Sequence, residues 1–252
     1  MSSLSKSQII GKPFIQLVEV DSTNNYAMAQ IHNGLAEHGS TWFSLSQTAG
    51  KGQRGKQWNA AKGMNILQTT TINASALSLS NPFALTVIVA NACHDFFSKH
   101  AGDETSIKWP NDIYWRDRKA GGILIENIIR GNRWCWALVG IGININQTAF
   151  ADLPNPVSLK QITGKTYDSV ELGKELCSYL DKHYNNYLAE GFAPAFEQYQ
   201  KQLFKVGENV RLKKDNIVFS CTIKSVAENG DLLVDNCNWE RFSFGEVEWI
   251  FR

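Results

Sequence analysis

Residues 47–58 read Gln-Thr-Ala-Gly-Lys-Gly-Gln-Arg-Gly-Lys-Gln-Trp, a run that intersperses three glycines with three cationic side chains and ends in a tryptophan. Glycine has no side chain, so such a run lets backbone N–H groups approach a ligand closely. Cations suit a polyphosphate or a carboxylate, and an indole offers a face on which a base can stack. The run predicts an anion-binding loop. The alternative is a flexible, solvated basic loop that only connects its neighbours.

The flanking segments decide which kind of loop this is. Thr41 to Ser46 and Asn65 to Ile72 both have the composition of strands, so the passage is strand–loop–strand. A Walker P-loop needs Gly-Lys-Ser/Thr entering a helix, and the Rossmann Gly-x-Gly-x-x-Gly fingerprint also opens a helix. The loop matches neither class.

The rest of the pattern predicts an α+β fold in two parts. Helices are predicted at residues 26–31, 82–100, 168–187 and 194–203, and further strands at 105–109, 122–129 and 134–145. After Phe204 the sequence pattern changes and predicts short alternating strands separated by polar turns. We expect a mixed or antiparallel sheet carrying helices in residues 1–204 and a small β-barrel domain in residues 205–252.

The composition limits the function classes. The chain has 252 residues, 43% of them apolar, and a net charge of +1, which gives no general basic surface for nucleic acid. Its five widely spaced cysteines favour neither a disulfide framework nor a zinc site. No signal peptide and no run of 18 apolar residues is visible. We expect a soluble, cytoplasmic protein with no membrane contact.

A first polar cluster follows a predicted strand at Lys108-Trp109-Pro110-Asn111-Asp112. Pro110 prevents continuation as a central strand, and the next two side chains are polar. Asn111 could hydrogen bond a ligand, while Asp112 could bind Mg²⁺ or orient a lysine. The alternative is a strand-terminating turn with no further role.

A second cluster places Lys119 before Gly121-Gly122 and an apolar strand. The glycines fix the lysine at the edge of the sheet, where an ammonium can reach an acyl carboxylate and a phosphate at once. For the preceding residues 116–118 a charged hairpin tip is the favoured interpretation.

A third pattern is Gly140-Ile141-Gly142-Ile143-Asn144-Ile145-Asn146. Strand alternation places the isoleucines on one face and the glycines and asparagines on the other. The second face leaves a slot for a flat ligand, with amides able to read base edges. The alternative is a strand that another backbone approaches closely.

Together and in this order, these motifs resemble those of the biotin–protein ligases. The matching pieces are Ser22-Thr23-Asn24, residues 47–58, residues 108–112, Lys119 with Gly121-Gly122-Ile123-Leu124, and residues 140–144. The resemblance implies a class II synthetase-like catalytic domain followed by a small SH3-like β-barrel. It also implies activation of biotin by Mg-ATP to biotinoyl-5′-AMP, then transfer to a lysine of a biotin carboxyl carrier domain. A homodimer is compatible with it.

The resemblance also assigns roles to individual residues. For biotin it implies Ser22, Thr23, Asn24, Gln47, Gly50, Lys51, Lys119 and Gly122. For ATP and the adenylate it implies Lys51, Gln53, Arg54, Lys56, Trp58, Asn111, Lys119, Gly142 and Asn144. The catalytic set is Lys119, Asp112 and Arg54, and the metal position is Asp112. No side-chain nucleophile is required, because the biotin carboxylate itself attacks ATP.

The glycine run departs from the family pattern Gly-Arg-Gly-Arg-x-Gly-Arg-x-Trp. Lys51, Gln53 and Lys56 stand where arginines are usual, and Arg54 occupies the variable position. Lysine keeps the charge without the bidentate fork, whereas glutamine loses the charge. Arg54 is therefore the alternative phosphate ligand, and we expect the loop to order over the adenylate through its backbone N–H groups.

Two other functions stay open, and one family role is not expected. A lipoate–protein ligase or octanoyltransferase has a similar fold and chemistry, but would need a long, narrow pocket without ureido-matched polar groups. A non-catalytic biotin sensor would bind without turnover. The first motif begins by Ser22, which leaves no room for a helix-turn-helix domain before it, so we do not expect DNA binding.

Overall fold

The computed structural model describes residues 9–150 and 155–251. The helices are α1 Thr23–His32, α2 Phe83–Ala101, α3 Leu159–Thr163, α4 Ser169–Glu190 and α5 Phe192–Lys201. The strands are β1 Phe14–Leu17, β2 Thr41–Ser44, β3 Ile66–Asn73, β4 Thr105–Lys108, β5 Asp112–Trp115, β6 Arg118–Arg130, β7 Arg133–Ile143, β8 Asn209–Lys214, β9 Ile217–Val226, β10 Leu232–Asp235, β11 Arg241–Phe242 and β12 Glu248–Trp249.

The first sheet has seven strands in the order β1-β2-β3-β7-β6-β5-β4. Only β1 and β2 run parallel, and the other neighbours are antiparallel. The predicted α+β fold with a mixed sheet is confirmed. The sequence patterns did not predict β1, which has only four residues, or β5, which starts directly after the turn at Pro110.

Different helices pack on the two faces of this sheet. Val139, Ile141 and Ile143 of β7 join the main core on the side of α2, which itself packs against α4 and α5. On the other face Leu138 packs with Ala27 of α1 in a small second cluster. Since side chains alternate along a strand, Gly140 and Gly142 lie on the face of α1. That face carries the candidate site.

Asp168 caps the start of α4. Its carboxylate accepts hydrogen bonds from the N–H groups of Val170 and Glu171, whereas Ser22, at the N-cap position of α1, makes no side-chain capping hydrogen bond. A carboxylate at this position satisfies donors that the first helical turn leaves free and favours the helix dipole.

A second, five-stranded antiparallel sheet follows in the order β11-β10-β9-β8-β12, and confirms the predicted C-terminal β-rich part. Its buried side chains are contiguous with the main core. The Trp109 indole N–H donates a hydrogen bond to the Gly230 carbonyl at 2.8 Å, which ties the β4–β5 turn to the second sheet. The barrel closure and the boundary between residues 204 and 205 stay predictions.

Two further observations bear on the sequence expectations. All five cysteines are free thiols, three of them buried. Among the helices in residues 9–150 and 155–251, none combines the length and the apolar character required to cross a membrane.

Candidate active site

A cavity of about 730 Å³ opens on the α1 face of the first sheet and is walled on one side by the second sheet. Most of the residues singled out from the sequence line it: Ser22, Thr23, Asn24, Gln47, Lys51, Gln53, Arg54, Lys56, Trp58, Asn111, Asp112, Lys119, Gly122 and Gly142. The fold therefore brings together motifs that are up to 120 residues apart in the chain.

Gly50 and Asn144 are not part of the cavity lining. The Gly50 carbonyl accepts the Trp58 N–H at 2.9 Å and closes the base of the glycine-rich loop. The Asn144 side chain is buried, and its amide donates to the Val157 carbonyl at 3.2 Å. This bond holds the amide nitrogen of Asn144, and the assigned role of the residue towards an adenylate stays a prediction.

At one end of the cavity lies a group of uncharged residues, here called the neutral recess: Ser22, Thr23, Asn24, Gln47 and Thr69. All of them except Ser22 are joined by side-chain hydrogen bonds. The backbone N–H and the hydroxyl of Thr23 both donate to Gln47 Oε1, at 2.7 and 3.1 Å. The Thr69 hydroxyl lies 2.8 Å from the Thr23 hydroxyl and 2.5 Å from Asn24 Oδ1. These contacts orient both donors and acceptors before a ligand arrives.

Glu126 extends this network towards the glycine-rich loop. The Asn24 amide donates to Glu126 Oε2 at 2.6 Å, and Glu126 Oε1 lies 3.7 Å from Lys51 Nζ. Beneath Asn24 lies Gly140, where a Cβ would overlap the amide oxygen. The glycine is therefore needed for the helix to approach the sheet. Neither Thr69 nor Glu126 was identified from the sequence.

The glycine-rich loop is an ordered turn. The Gly52 N–H donates to the Lys56 carbonyl at 2.7 Å, and residues 53–55 form a single 3₁₀ turn with Arg54 at a φ of 56°. The Gln53 amide points to the Ile123 carbonyl of β6 at 3.5 Å, which also accepts from Asn111. Gln53 thus contacts the sheet backbone with its neutral amide, and its implied role towards ATP stays a prediction.

The slot predicted over the glycines of β7 holds the indole of Trp58. A Cβ on Gly142 would lie 2.5 Å from Trp58 Cε2, and one on Gly122 would lie 3.2 Å from Cζ3. The tryptophan is only 8% exposed, and Lys119 Nζ lies 5.7 Å from its ring centroid. The flat group that the bare strand face accommodates is therefore a side chain of the same chain.

At the other end of the cavity Lys108, Asp112 and Lys119 form a lysine–aspartate cluster. Lys119 Nζ lies 2.6 Å from Asp112 Oδ1, and Lys108 Nζ lies 3.6 Å from Oδ2. Two ammonium groups on one carboxylate leave a net charge of about +1, which suits an anionic ligand. Of the two roles predicted for Asp112, orienting a lysine is the one this geometry supports.

Burial and charge act in opposite directions on these groups. Burial raises the pKa of Asp112, but the charges of Lys119 and Lys108 outweigh it and hold that pKa below its usual value. Burial lowers the pKa of Lys108 to about 8, because the attraction of Asp112 only partly offsets the lost hydration.

Lys108 also lies among three aromatic rings, which sequence reasoning missed. Its Nζ is 5.4 Å from the ring centroid of Tyr114, 5.2 Å from that of Trp249 and 5.9 Å from that of Phe251. Trp249 and Phe251 come from the last residues of the chain. No spacing signal connects them to a lysine more than 140 residues earlier.

The donor set does not fit a magnesium ion held by the protein. Both oxygens of Asp112 face lysines. In the part of the chain that the structure describes, no group of three His, Cys, Asp or Glu side chains could hold a metal. Magnesium often binds through substrate phosphates with few protein ligands. The role of Asp112 as a magnesium ligand therefore stays a prediction.

Comparisons with known proteins identify relatives of this chain. The model of the Biotin/lipoate A/B protein ligase family matches residues 17–144, about half of the chain. The bifunctional ligase/repressor BirA of Bacillus spizizenii is 28% identical over 235 residues, which cover 91% of this chain and 71% of that protein. The biotin–[acetyl-CoA-carboxylase] ligase of Paracoccus denitrificans is 27% identical over 226 residues, covering 86% of this chain and 92% of that protein.

A solved structure shares the fold. Biotin protein ligase from Aquifex aeolicus in complex with biotin and ATP superposes with a TM-score of 0.73 at 22% identity, covering 95% of each chain. The matched family segment includes the glycine-rich loop, the neutral recess and the lysine–aspartate cluster. This chain belongs to the Biotin/lipoate A/B protein ligase family.

Proposed function

We propose that this protein is a biotin–protein ligase. It condenses biotin with Mg-ATP to biotinoyl-5′-AMP and pyrophosphate, then transfers the biotinoyl group to a lysine of a carrier domain of a biotin-dependent carboxylase. The observation that carries the proposal is one cavity with a neutral hydrogen-bonding recess at one end and a lysine–aspartate cluster at the other. Biotin has the matching ends, a neutral ureido ring and a carboxylate.

The neutral recess accounts for recognition of the ureido ring. This group has N–H donors and a carbonyl acceptor, so it needs uncharged partners of both kinds. Thr23, Asn24 and Gln47 supply hydroxyl and amide groups that hydrogen bonds with one another and with Thr69 hold in place, and the Ser22 hydroxyl lies beside them in the cavity lining. A lipoyl ring has no such donors and acceptors to satisfy these groups.

The lysine–aspartate cluster accounts for the first chemical step. A carboxylate oxygen of biotin attacks the α-phosphorus of ATP, a new P–O bond forms, and the bond to pyrophosphate breaks. Lys119 would bind the carboxylate and the α-phosphate together and stabilise the charge that develops at phosphorus. Lys51, Arg54 and Lys56 add positive charge along the loop, and Trp58 with Asn111 would contact the adenosine.

The second step needs little from the protein beyond positioning. The amine of the carrier lysine attacks the acyl carbon of the mixed anhydride, AMP leaves, and the amine loses a proton. The relative from Paracoccus denitrificans is named for acetyl-CoA carboxylase as its acceptor, which supports a carboxylase carrier as the partner here. A homodimer and a cytoplasmic location stay predictions.

The test is incubation of the purified chain with ATP, Mg²⁺ and either biotin or lipoate, with and without a biotin carboxyl carrier domain. We expect biotin-dependent pyrophosphate release and a mass increase of the carrier by one biotinoyl group. Modification with lipoate alone would reverse the assignment in favour of a lipoate ligase. Tight biotin binding with neither product would mark a sensor without activity.

A further inference from the structure

The surroundings of Lys108 are not explained by the roles assigned so far. Its side chain is buried, yet it lies at the cavity wall and contacts Asp112 from the side opposite Lys119. A buried ammonium is costly unless it is paired and held by favourable contacts. The structure supplies one carboxylate and three aromatic rings.

We propose that Lys108 is a positioning residue that keeps Asp112 charge-compensated when Lys119 turns to the substrate, and that Trp249 and Phe251 hold Lys108 in place. The inference rests on the proposed function and extends it to the C-terminal sheet. It makes the last residues of the chain part of the active site.

Asp112 is the group whose charge has to be compensated. Its ion pair with Lys119 is short, at 2.6 Å, and a Lys119 ammonium that turns towards a carboxylate and a phosphate weakens this pair. A buried carboxylate that loses its only cation pays a large desolvation cost. Lys108, 3.6 Å from the other oxygen, provides a second cation and lowers this cost.

The rings of Trp249 and Phe251 hold the Lys108 ammonium in place. An aromatic face attracts a cation through its quadrupole without neutralising it. The Trp249 and Phe251 centroids lie 5.2 and 5.9 Å from Lys108 Nζ, within the range of such contacts. The two rings stack with an interplanar angle of 13°, so they form one continuous wall. This wall holds the ammonium beside Asp112 and leaves its charge available.

Trp249 links the surroundings of Lys108 to the second sheet. β12 pairs with β8, with Trp249 opposite Leu212, and so attaches the wall to the C-terminal core. The Trp249 ring also contacts Phe204, the last residue before the predicted β-rich part of the chain. The second sheet thereby sets the position of a charge in the first.

The experiment measures biotin-dependent pyrophosphate release and, separately, biotin affinity without ATP by calorimetry. Lys108→Met should lower the maximal rate by roughly 10- to 100-fold and leave biotin affinity within about 2-fold, because the neutral recess is untouched. Lys108→Arg should recover most of the rate, since it restores the cation. Trp249→Leu and Phe251→Leu should each lower the rate by roughly 3- to 10-fold.

Lys214→Met is the matched control. Lys214 Nζ also lies over an aromatic ring, 5.4 Å from the Phe242 centroid, and 3.5 Å from Glu246 Oε1, but it does not line the cavity. This variant should keep the wild-type rate. Equal losses in the control and in Lys108→Met would show a general effect of lysine removal and overturn the proposal.

The double variant separates positioning from plain structural support. If the ring acts through Lys108, Trp249→Leu should cost nothing further in the Lys108→Met background. Independent losses that multiply would overturn the proposal, as would a Lys108→Met variant whose biotin affinity falls as much as its rate. Phe251→Leu provides the same test if Trp249→Leu does not fold. Absence of wild-type turnover would instead refute the proposed function.

Discussion

The neutral recess and the lysine–aspartate cluster occupy one cavity but are built by different physical means. In the recess, direct hydrogen bonds of 2.5 to 3.1 Å join uncharged side chains from the first 70 residues. In the cluster, three charged groups balance one another, and rings from residues 249 and 251 enclose them. The recess selects by the pattern of donors and acceptors, whereas the cluster selects and acts by charge.

Because the two regions act by different means, biotin affinity and reaction rate should be separable in this protein. Hydrogen bonds to a neutral ring act equally in the ground state and the transition state, so they set biotin affinity. A cation at the reacting phosphorus acts more strongly as charge develops, so it sets the rate. Four substitutions or conditions test the separation.

The largest expected effect is that of Lys119→Met. Without the Lys119 ammonium, no cation of the cluster stabilises the charge that develops at the α-phosphorus. Asp112 then keeps only its longer ion pair with Lys108. We expect biotin-dependent pyrophosphate release to fall by about 100-fold or more. Lys182→Met, at an exposed position of α4, is the control and should behave as wild type. A Lys119→Met enzyme with more than half the normal rate would contradict the conclusion that the lysine–aspartate cluster sets the rate.

The neutral end is tested by Gln47→Ala. This change removes the oxygen that accepts both Thr23 donors and so disorders the recess. We expect biotin to bind about 10- to 100-fold more weakly, with the KM for ATP unchanged. Equilibrium binding of biotin and steady-state kinetics measure the two quantities. Thr48→Ala, an exposed neighbour, is the matched control, and an equal loss for both ligands would contradict the separation.

Local patterns identified part of the lysine–aspartate cluster, because a Pro-Asn-Asp turn and a lysine before two glycines mark the ends of strands. The recess residues Ser22, Thr23, Asn24 and Gln47 were assigned to the site only through the family resemblance. Strand alternation placed Gly140 and Gly142 on the site face correctly. Local patterns do not determine which side chain fills a slot, and therefore Trp58 was expected to border an adenine and was not expected to occupy the strand face itself.

The parts that escaped prediction depend on contacts between distant segments. Nothing in residues 108–112 indicates that rings near residue 250 approach Lys108, because cation–π contacts have no sequence spacing. The strand β5 was hidden since Pro-Asn-Asp reads equally well as the end of a strand and as the turn of a hairpin. Packing between the two sheets settles both questions.

A third test uses pH and acts on the charged end alone. Burial lowers the pKa of Lys108 to about 8 from an ordinary value near 10.5, so its ammonium loses its proton as pH rises through 8. The cluster then changes from a net charge of about +1 towards zero. Tyr114 stays neutral there, because burial raises its pKa above the usual range. We expect the maximal rate to fall several-fold between about pH 7 and 9.5, with biotin affinity flat, because deprotonation removes the same charge as Lys108→Met.

The titration of Lys108 also changes the stability of the folded protein. Between about pH 8 and 10.5 the unfolded chain binds more protons at Lys108 than the folded chain, so this group makes folding more favourable as pH rises through that window. Lys108→Arg removes both effects, because arginine stays charged. Kinetics and chemical unfolding at a series of pH values measure them, and an unchanged profile in Lys108→Arg would assign the titration to another group.

The smallest expected effect is at Lys51, which lies between the two regions. Its ammonium is 3.7 Å from Glu126, and the side chains are 42% and 33% exposed, so the ion pair contributes only about 0 to 1 kcal/mol. Lys51→Met should change biotin affinity by less than about 5-fold. Glu126→Gln is the matched variant, since an amide oxygen can still accept from Asn24 while the charge is lost. If Lys51→Met instead raises the KM for ATP more than 10-fold and Glu126→Gln does not, the lysine leaves Glu126 for a phosphate. The charged region would then extend into the glycine-rich loop, and its border with the neutral recess would run between Glu126 and Lys51.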